Sequence, residues 1–405
     1  MENNDVLFRH DHTPQRKQRR MQRLLLRALW REGSMTKQQI AGLVNVSLPS
    51  VSRLLEKLTA EGLLTVARGL KEKDPRRVYI SVNERHLRAL ALHITRHGIT
   101  GATVDAGGRI LKSWSDSLHV TEGPSGLLRR IVVTLVDARK HSETGMLRGV
   151  GIGIGGPVRN HVTAESFAIL PDWSDVNLSE IVEKETGLRT YVANDAFAET
   201  FAEKQYGCAR GVRNAIYFHY GWGLQLGLIL DSEIRRGAGY AGEIGHVQVA
   251  ESGPVCVCGR HGCLESIASI GALVRAAVQA IRQGARSEVR TLTSGDLGKV
   301  SWDILQTAAE HGDTLAGSLL ERASNHLAVA LAGAINLLDP EILILGGHIR
   351  NSPRSFVENL CRKIYLRVTA PMRPHLRIEV SALGPEAGII GAGALVFQHL
   401  LDSRE

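Results

Sequence analysis

One stretch constrains this chain more than any other: Ala241 to Glu265, reading AGEIGHVQVAESGPVCVCGRHGCLE. It holds His246, Cys256, Cys258 and Cys263 in the spacing His-x9-Cys-x-Cys-x4-Cys. Three thiolates and one imidazole make the closed tetrahedral donor set that a structural zinc ion takes. Gly259 and Gly262 lie among the cysteines, where a chain wrapping tightly around a metal needs positive φ. The alternatives are ordinary buried thiols or a disulfide. Four ligating residues within eighteen positions argue against the first, and a Cys256–Cys258 bridge would be strained at one-residue separation. With every coordination place filled by protein, the metal would fix a loop rather than do chemistry. Glu243 and Glu265 bracket the set without being needed as ligands. Two spare carboxylates beside a rigid loop point to a polar binding site.

The remaining cysteines, Cys208 and Cys361, stand alone and read as core thiols. Such usage suits a reducing cytoplasm. Residues 1–20 are polar and charged, unlike a secretory leader, and no run of about 18 apolar residues predicts membrane insertion. A chain of 405 residues should hold two or three domains. Its net charge of +8 is concentrated at one end: residues 1–90 carry 18 Lys+Arg against 9 Asp+Glu. A basic segment on a near-neutral body points to nucleic acid; a merely solvated basic tail is the alternative.

Past the first fifteen residues, which read as a disordered arm, the pattern favours nucleic acid. Met21, Leu24, Leu25, Ala28 and Leu29 fall at helical spacing, and Gly33 ends that helix. Thr36 and Gln39 form a capping-box signature for a second helix. Ser47 is a candidate N-cap for a third, with Pro49 tolerated in its first turn and Val51, Leu54, Leu55 and Leu58 as its buried stripe. Two strands, from Leu63 and from Arg77, flank a basic loop. Three helices and a two-stranded wing over residues 1–82 make a winged helix-turn-helix, whose third helix would enter the major groove. Ser47, Pro49, Ser50 and Arg53 are the expected DNA-facing residues of that helix. Arg68, Lys71, Lys73, Arg76 and Arg77 on the wing would meet backbone or minor groove. For any single arginine a solvated surface charge is an even alternative; the set favours DNA.

Residues 83–405 read as strands followed by strands alternating with helices, twice over, which predicts two α/β lobes with a cleft between them. The expected division is 83–195 plus a returning helix at 387–405, and 196–386 with the metal loop. Ile342–Leu345, flanked by Pro340 and Gly346–Gly347, predicts a strand covered on both faces. A single helix is expected over 267–283.

GEIGH followed by CxCGxxGCLE resembles the ROK family of bacterial sugar kinases and sugar-responsive repressors. The resemblance implies an actin-like (ribonuclease H-like) duplicated fold, and it covers nearly the whole chain. It places sugar-contacting roles on Gly156, Asn194, Asp195, Glu243, His246 and Glu265, with Asp195 at the kinases' catalytic-base position. Alternatives are an N-cap role for Asp195 and salt bridging for the two glutamates. His246 could serve twice, one ring nitrogen on zinc and the other on a hydroxyl or carbonyl.

The chain departs from the kinases at both phosphate turns. Where they carry Asp-x-Gly-x-Thr it has His93-Ile94-Thr95-Arg96-His97, and where they carry Gly-Thr-Gly-x-Gly it has Gly221-Trp222-Gly223-Leu224-Gln225. Backbone cannot approach phosphate where a bulky side chain stands. The expectation is therefore no kinase activity: a cytoplasmic, nucleoid-associated repressor of double-stranded operator DNA, released by a sugar or sugar phosphate in the cleft. It would act as a homodimer or homotetramer. A sugar kinase with a DNA-binding head, or a repressor controlled by a transport-system protein, are the competing readings.

Overall fold

The computed structural model describes residues 14–68, 76–95, 98–117, 123–140, 147–156, 158–159, 163–164 and 176–402. The expected arm, Lys71 and Lys73 of the wing, and Arg96 and His97 of the first turn lie outside them.

The head begins with α1 (Pro14–Glu32), α2 (Lys37–Val44) and α3 (Leu48–Ala60), followed by β1 (Leu64–Arg68) and β2 (Val78–Val82), which pair antiparallel. Thr36 and Gln39 make the expected reciprocal capping box at α2. Asn45 then takes a left-handed conformation, φ 51°, which turns the chain into α3. Ser47 occupies the cap position of α3, but its hydroxyl does not cap; it pairs with Ser50 Oγ at 3.0 Å. Val51, Leu54, Leu55 and Leu58 are buried, as the helical spacing requires.

The body holds two five-stranded sheets. The first has the order β5-β4-β3-β6-β9, built from β3 (Arg88–Thr95), β4 (Gly98–Asp105), β5 (Ile110–Ser117), β6 (Leu147–Ile154) and β9 (Thr190–Asn194). Two-residue strands β7 (Val158–Arg159) and β8 (Thr163–Ala164) form a small ribbon. Helices α4 (Gly123–Lys140), α5 (Leu178–Thr186) and α6 (Asp195–Tyr206) complete this half. The second sheet has the order β12-β11-β10-β13-β14, from β10 (Ala215–Tyr220), β11 (Leu224–Leu230), β12 (Glu233–Arg235), β13 (Ile342–Gly347) and β14 (Arg377–Val380).

The two orders are the same when each sheet is numbered from its own first strand, so the lobe is duplicated. In each, the first strand pairs antiparallel with the second and parallel with the fourth. β12 completes the match, and three mostly exposed residues leave no periodic signal by which to foresee it. Ile342 to Leu345 are fully buried, as a strand covered on both faces must be.

Between β12 and β13 lie α7 (Leu264–Ala268), α8 (Ile270–Arg282), α9 (Val289–Leu292), α10 (Trp302–Glu310) and α11 (Thr314–Leu338); α12 (Arg354–Arg367) follows β13. The single helix expected over 267–283 is broken at Ser269. This residue is extended (φ −71°, ψ 158°), its Oγ accepts from Ala272 N, and Ile270 N donates to Gly221 O. That bond to a distant turn replaces a helical one. The chain ends in α13 (Ala387–Asp402), which packs on the first sheet and on α6. At their crossing a Cβ on Gly391 would come within 1.8 Å of Ala198 O, so only glycine permits this approach.

Candidate ligand cleft and metal centre

The metal loop is short of regular structure, so its shape rests on tertiary bonds. Cys256 N donates to Arg260 O, Gly259 N to Cys256 O, and Leu264 N to Val247 O. Gly259 and Gly262 have φ 83° and 70°, as expected, and a Cβ on Gly262 would strike Ala250 O at 1.8 Å. One ligand atom from each of His246, Cys256, Cys258 and Cys263 lies within 4.8 Å of the others. Cys256 Sγ is 3.5 Å from His246 Nδ1, and Cys258 Sγ is 3.7 Å from Cys263 Sγ. A tetrahedral zinc with Zn–S of about 2.3 Å and Zn–N of about 2.0 Å has edges of about 3.5 and 3.8 Å. The donor set therefore fits such an ion in chemistry and in spacing.

His246 Nε2 points the other way and lies 3.8 Å from Glu243 Oε2. Its second nitrogen thus faces the side of the loop that carries Glu243, at a separation too long for a direct hydrogen bond.

The glutamates that bracket the loop are tied to the turn between β10 and β11. Gln225 Nε2 donates to Glu243 Oε1 at 3.0 Å, and Leu224 N donates to Glu265 Oε2 at 3.1 Å. Burial raises the pKa of both carboxyls. Gln225, counted in the sequence as a lost phosphate glycine, is a positioning partner for Glu243.

On the first-lobe side, Asn194 rather than Asp195 caps α6: its Oδ1 accepts from Phe197 N at 3.2 Å. Its Nδ2 donates to Gly156 O at 2.9 Å, which joins two of the predicted residues directly. Asp195 follows in the first turn, with Oδ1 accepting from Ala196 N. Burial raises its pKa, and the neighbouring Glu199 adds to the rise.

Sequence reasoning missed the buried pair beneath it. Glu199 Oε2 and His219 Nδ1 are 2.7 Å apart. Burial alone would push His219 down, but Glu199 and then Asp195 outweigh it and hold the imidazole at about 9. His219 in turn keeps Glu199 below its ordinary range in spite of burial. Glu199 stands four residues beyond Asp195 on one helix face; His219 is on another lobe's strand, so no spacing rule could pair them.

One described ring from each degenerate phosphate turn packs against a glycine elsewhere. The His93 ring lies against Gly388 at the start of α13, close enough that a Cβ there would come within 2.7 Å. Its Nε2 finds no partner among the described residues. Trp222 packs on the second-lobe core with its indole across Gly271. Backbone donors at this turn are used internally: Gly221 N bonds Gly223 O, and Leu224 N bonds Glu265.

A cavity of about 310 Å³ lies between the lobes, a size within the range of small-ligand sites. Asn194 and Phe197 wall it from α6, and Gln225, Ile234 and Arg236 from the second lobe. The Arg236 guanidinium sits 3.8 Å above the Phe197 ring, and burial lowers its pKa to about 10. Neither Phe197 nor Arg236 was singled out from sequence.

In the head, Ser47, Pro49 and Arg53 are exposed along the N-terminal part of α3, and Ser50 is half-buried. Arg68, Arg76 and Arg77 are exposed on the wing.

A family model described as ROK family matches residues 89–399. The chain belongs to the ROK family. A second model, winged helix-turn-helix DNA-binding, matches residues 18–65. The xylose repressor of Caldicellulosiruptor bescii is 28% identical over 388 residues, covering 94% of this chain and 96% of that protein. The glucokinase of Thermotoga maritima is 31% identical over 299 residues, covering 73% of this chain and 93% of that enzyme. A solved ROK family transcriptional regulator, a homologue of the E. coli MLC protein, superposes with TM-score 0.79 at 24% identity over 96% of this chain and 97% of that one. The alignment with the repressor therefore spans head and body, whereas the glucokinase accounts for a body-sized share only. No described helix is long and apolar enough to cross a membrane.

Proposed function

We propose that this ROK family chain is a sugar-responsive transcriptional repressor of the cytoplasm, released from operator DNA when an uncharged monosaccharide occupies the inter-lobe cleft. The observation that carries the reading is the contrast at the β10–β11 turn. Its glutamine and backbone hold Glu243 and Glu265 in place, while Trp222 and the internally bonded backbone fill the space a nucleotide phosphate would need. Ionised carboxylates only accept hydrogen bonds, and so do phosphate oxygens. Sugar hydroxyls donate, so Asp195, Glu243 and Glu265 suit a neutral sugar better than its phosphate ester. The full-length likeness to a protein named xylose repressor supports the same class of ligand.

In this reading zinc held by His246, Cys256, Cys258 and Cys263 keeps the loop that carries both glutamates. The ion's contribution is a fixed scaffold; orienting the sugar falls to the side chains. Ser47, Pro49, Ser50 and Arg53 read the operator, and Arg68, Arg76 and Arg77 neutralise phosphates. A dimer would present two heads to half-sites about one helical turn apart. Gly156 acts through the amide of Asn194.

Arg236 favours a second reading, in which the effector carries a phosphate, because a guanidinium at the cavity wall is a phosphate-binding group. Calorimetry with xylose, glucose and glucose 6-phosphate separates the two. Tighter binding of the neutral sugars supports the first reading; tighter binding of the ester selects the second. Phosphorylation of any of these sugars by the purified chain with ATP would overturn both in favour of a kinase.

A further inference from the structure

The head is seated on the body around one aromatic side chain. Trp30, near the end of α1, is 6% exposed, and its indole Nε1 donates to Ala106 O at 2.9 Å. Its ring meets Phe201 of α6 at 6.2 Å and Phe397 of α13 edge-on at 6.3 Å. Gln205 Nε2 of α6 donates to Trp30 O at 2.9 Å, and the Tyr206 hydroxyl donates to the same Ala106 carbonyl. Leu25 and Leu29 of the head share one apolar core with Phe201, Phe397 and Leu401 of the body. This is a packed seam. Packed interiors move between discrete arrangements rather than flexing continuously.

The helix that grips Trp30 with its last turn carries the ligand residues at its first. Asn194 caps α6 and Asp195 opens it, while Phe201 stands at mid-helix, about 9 Å along, and Gln205 and Tyr206 close the twelve-residue helix, about 15–17 Å along. α6 is also wedged between the lobes. On one side Ala198 packs on Gly391 of α13; on the other Thr200 packs on Gly227 of β11. A change in lobe angle must therefore shift α6 against one of these neighbours. The end of α1 touches both lobes as well, because Arg31, next to Trp30, lies 3.4 Å from Glu233 on β12. That pair is largely solvent-exposed, and such pairs hold weakly. The packed seam with α6 and α13 is thus the stronger of the head's attachments, and the Arg31–Glu233 pair the weaker.

We propose that Trp30 is the residue through which occupancy of the cleft reaches the DNA-binding head, by seating α1 on the far end of the helix that carries Asn194 and Asp195. This rests on the functional reading above. It adds the route, and with it a residue that touches neither sugar nor DNA.

The test uses the full chain, a duplex selected by it from a random pool, and xylose and glucose as probes. In the unaltered protein the effective sugar should weaken DNA binding by a factor in the range of about 5 to 150, and DNA should weaken sugar binding equally. Trp30→Ala should bring that factor below about 2 while sugar affinity without DNA stays within about 2-fold. Trp30→Phe, which keeps a ring and loses the N–H, should fall between. A wild-type factor in Trp30→Ala overturns the proposal. If that variant no longer holds DNA, Trp30→Phe and Gln205→Ala decide: a factor equal to wild type in both overturns it. Hydrogen exchange of residues 21–32 in the unaltered chain should change when sugar is added, and unchanged exchange also overturns it. Failure of either sugar to bind or release the unaltered chain would instead sink the functional reading itself.

Discussion

The acidic wall of the candidate cleft, which belongs to the second lobe, and the two turns that match the kinases' phosphate turns, one in each lobe, have opposite characters. On the wall built from the metal loop and the β10–β11 turn, each glutamate already holds a donor: Gln225 for Glu243 and Leu224 N for Glu265. At the two turns bulky rings pack instead, His93 against Gly388 in the first lobe and Trp222, within the β10–β11 turn itself, across Gly271 in the second. The first wall is organised to accept donors from a ligand. The second presents packed rings, with Gly221 N and Leu224 N already bonded within the protein. The difference teaches that one duplicated fold can organise acceptors on one side of a cleft while packing bulk on the other.

The largest expected effect tests what holds the acceptor wall. Cys258→Ser should lower bound zinc, measured by atomic emission, from about one ion per chain to a small fraction. It should also abolish detectable sugar binding; retained metal and affinity would detach the loop from the wall. Next, Glu243→Gln keeps the shape and removes the charge. A lost charged hydrogen bond of about 1.5–3 kcal/mol corresponds to a roughly 10- to 150-fold weaker sugar affinity by calorimetry. Unchanged affinity would place the ligand elsewhere, with the Arg236 side of the cavity as the first alternative.

Smaller effects probe the filled wall and the head. Arg53→Ala should weaken operator binding by about 1–3 kcal/mol and relax base preference at the contacted position, with sugar affinity unchanged. The Glu199–His219 pair should mark the pH profile of folding. His219 is held at about 9 against an ordinary 6.5, so its contribution is fully present below 6.5 and is lost as pH rises towards 9. Glu199 is depressed, so its contribution is present above its ordinary 4.5 and is lost as pH falls further. Denaturant midpoints should therefore decline between pH 6.5 and 9 in the unaltered chain. In His219→Gln that decline should flatten on a lower overall stability, and an equally steep decline would assign it to other groups.

Periodic and locally spaced features were legible before the structure. The helices of the head follow from apolar stripes and a capping box, because those signals lie within a few residues of each other. The cluster of His246, Cys256, Cys258 and Cys263 was legible for a different reason: its residue types form a ligand signature even across eighteen positions. The two-sided burial of Ile342–Leu345 could be read from an unbroken apolar run. The break at Ser269 could not, because it depends on a bond from Ile270 N to Gly221 O. Nor could the capping role of Asn194, where two adjacent residues have nearly equal preference for the position.

The chain's own order of residues determined that there is a DNA-type head, a duplicated α/β body and a loop gathering one histidine and three cysteines, since each follows from a pattern of residue types along the backbone. Only the fold decided that Gln225 supports Glu243, that His219 is charged against Glu199, and that Trp30 seats the head on α6. These contacts join residues 18, 20 and 175 positions apart. Hydrogen-bond direction, burial and charge pairing at such separations arise from packing, and no local pattern encodes them.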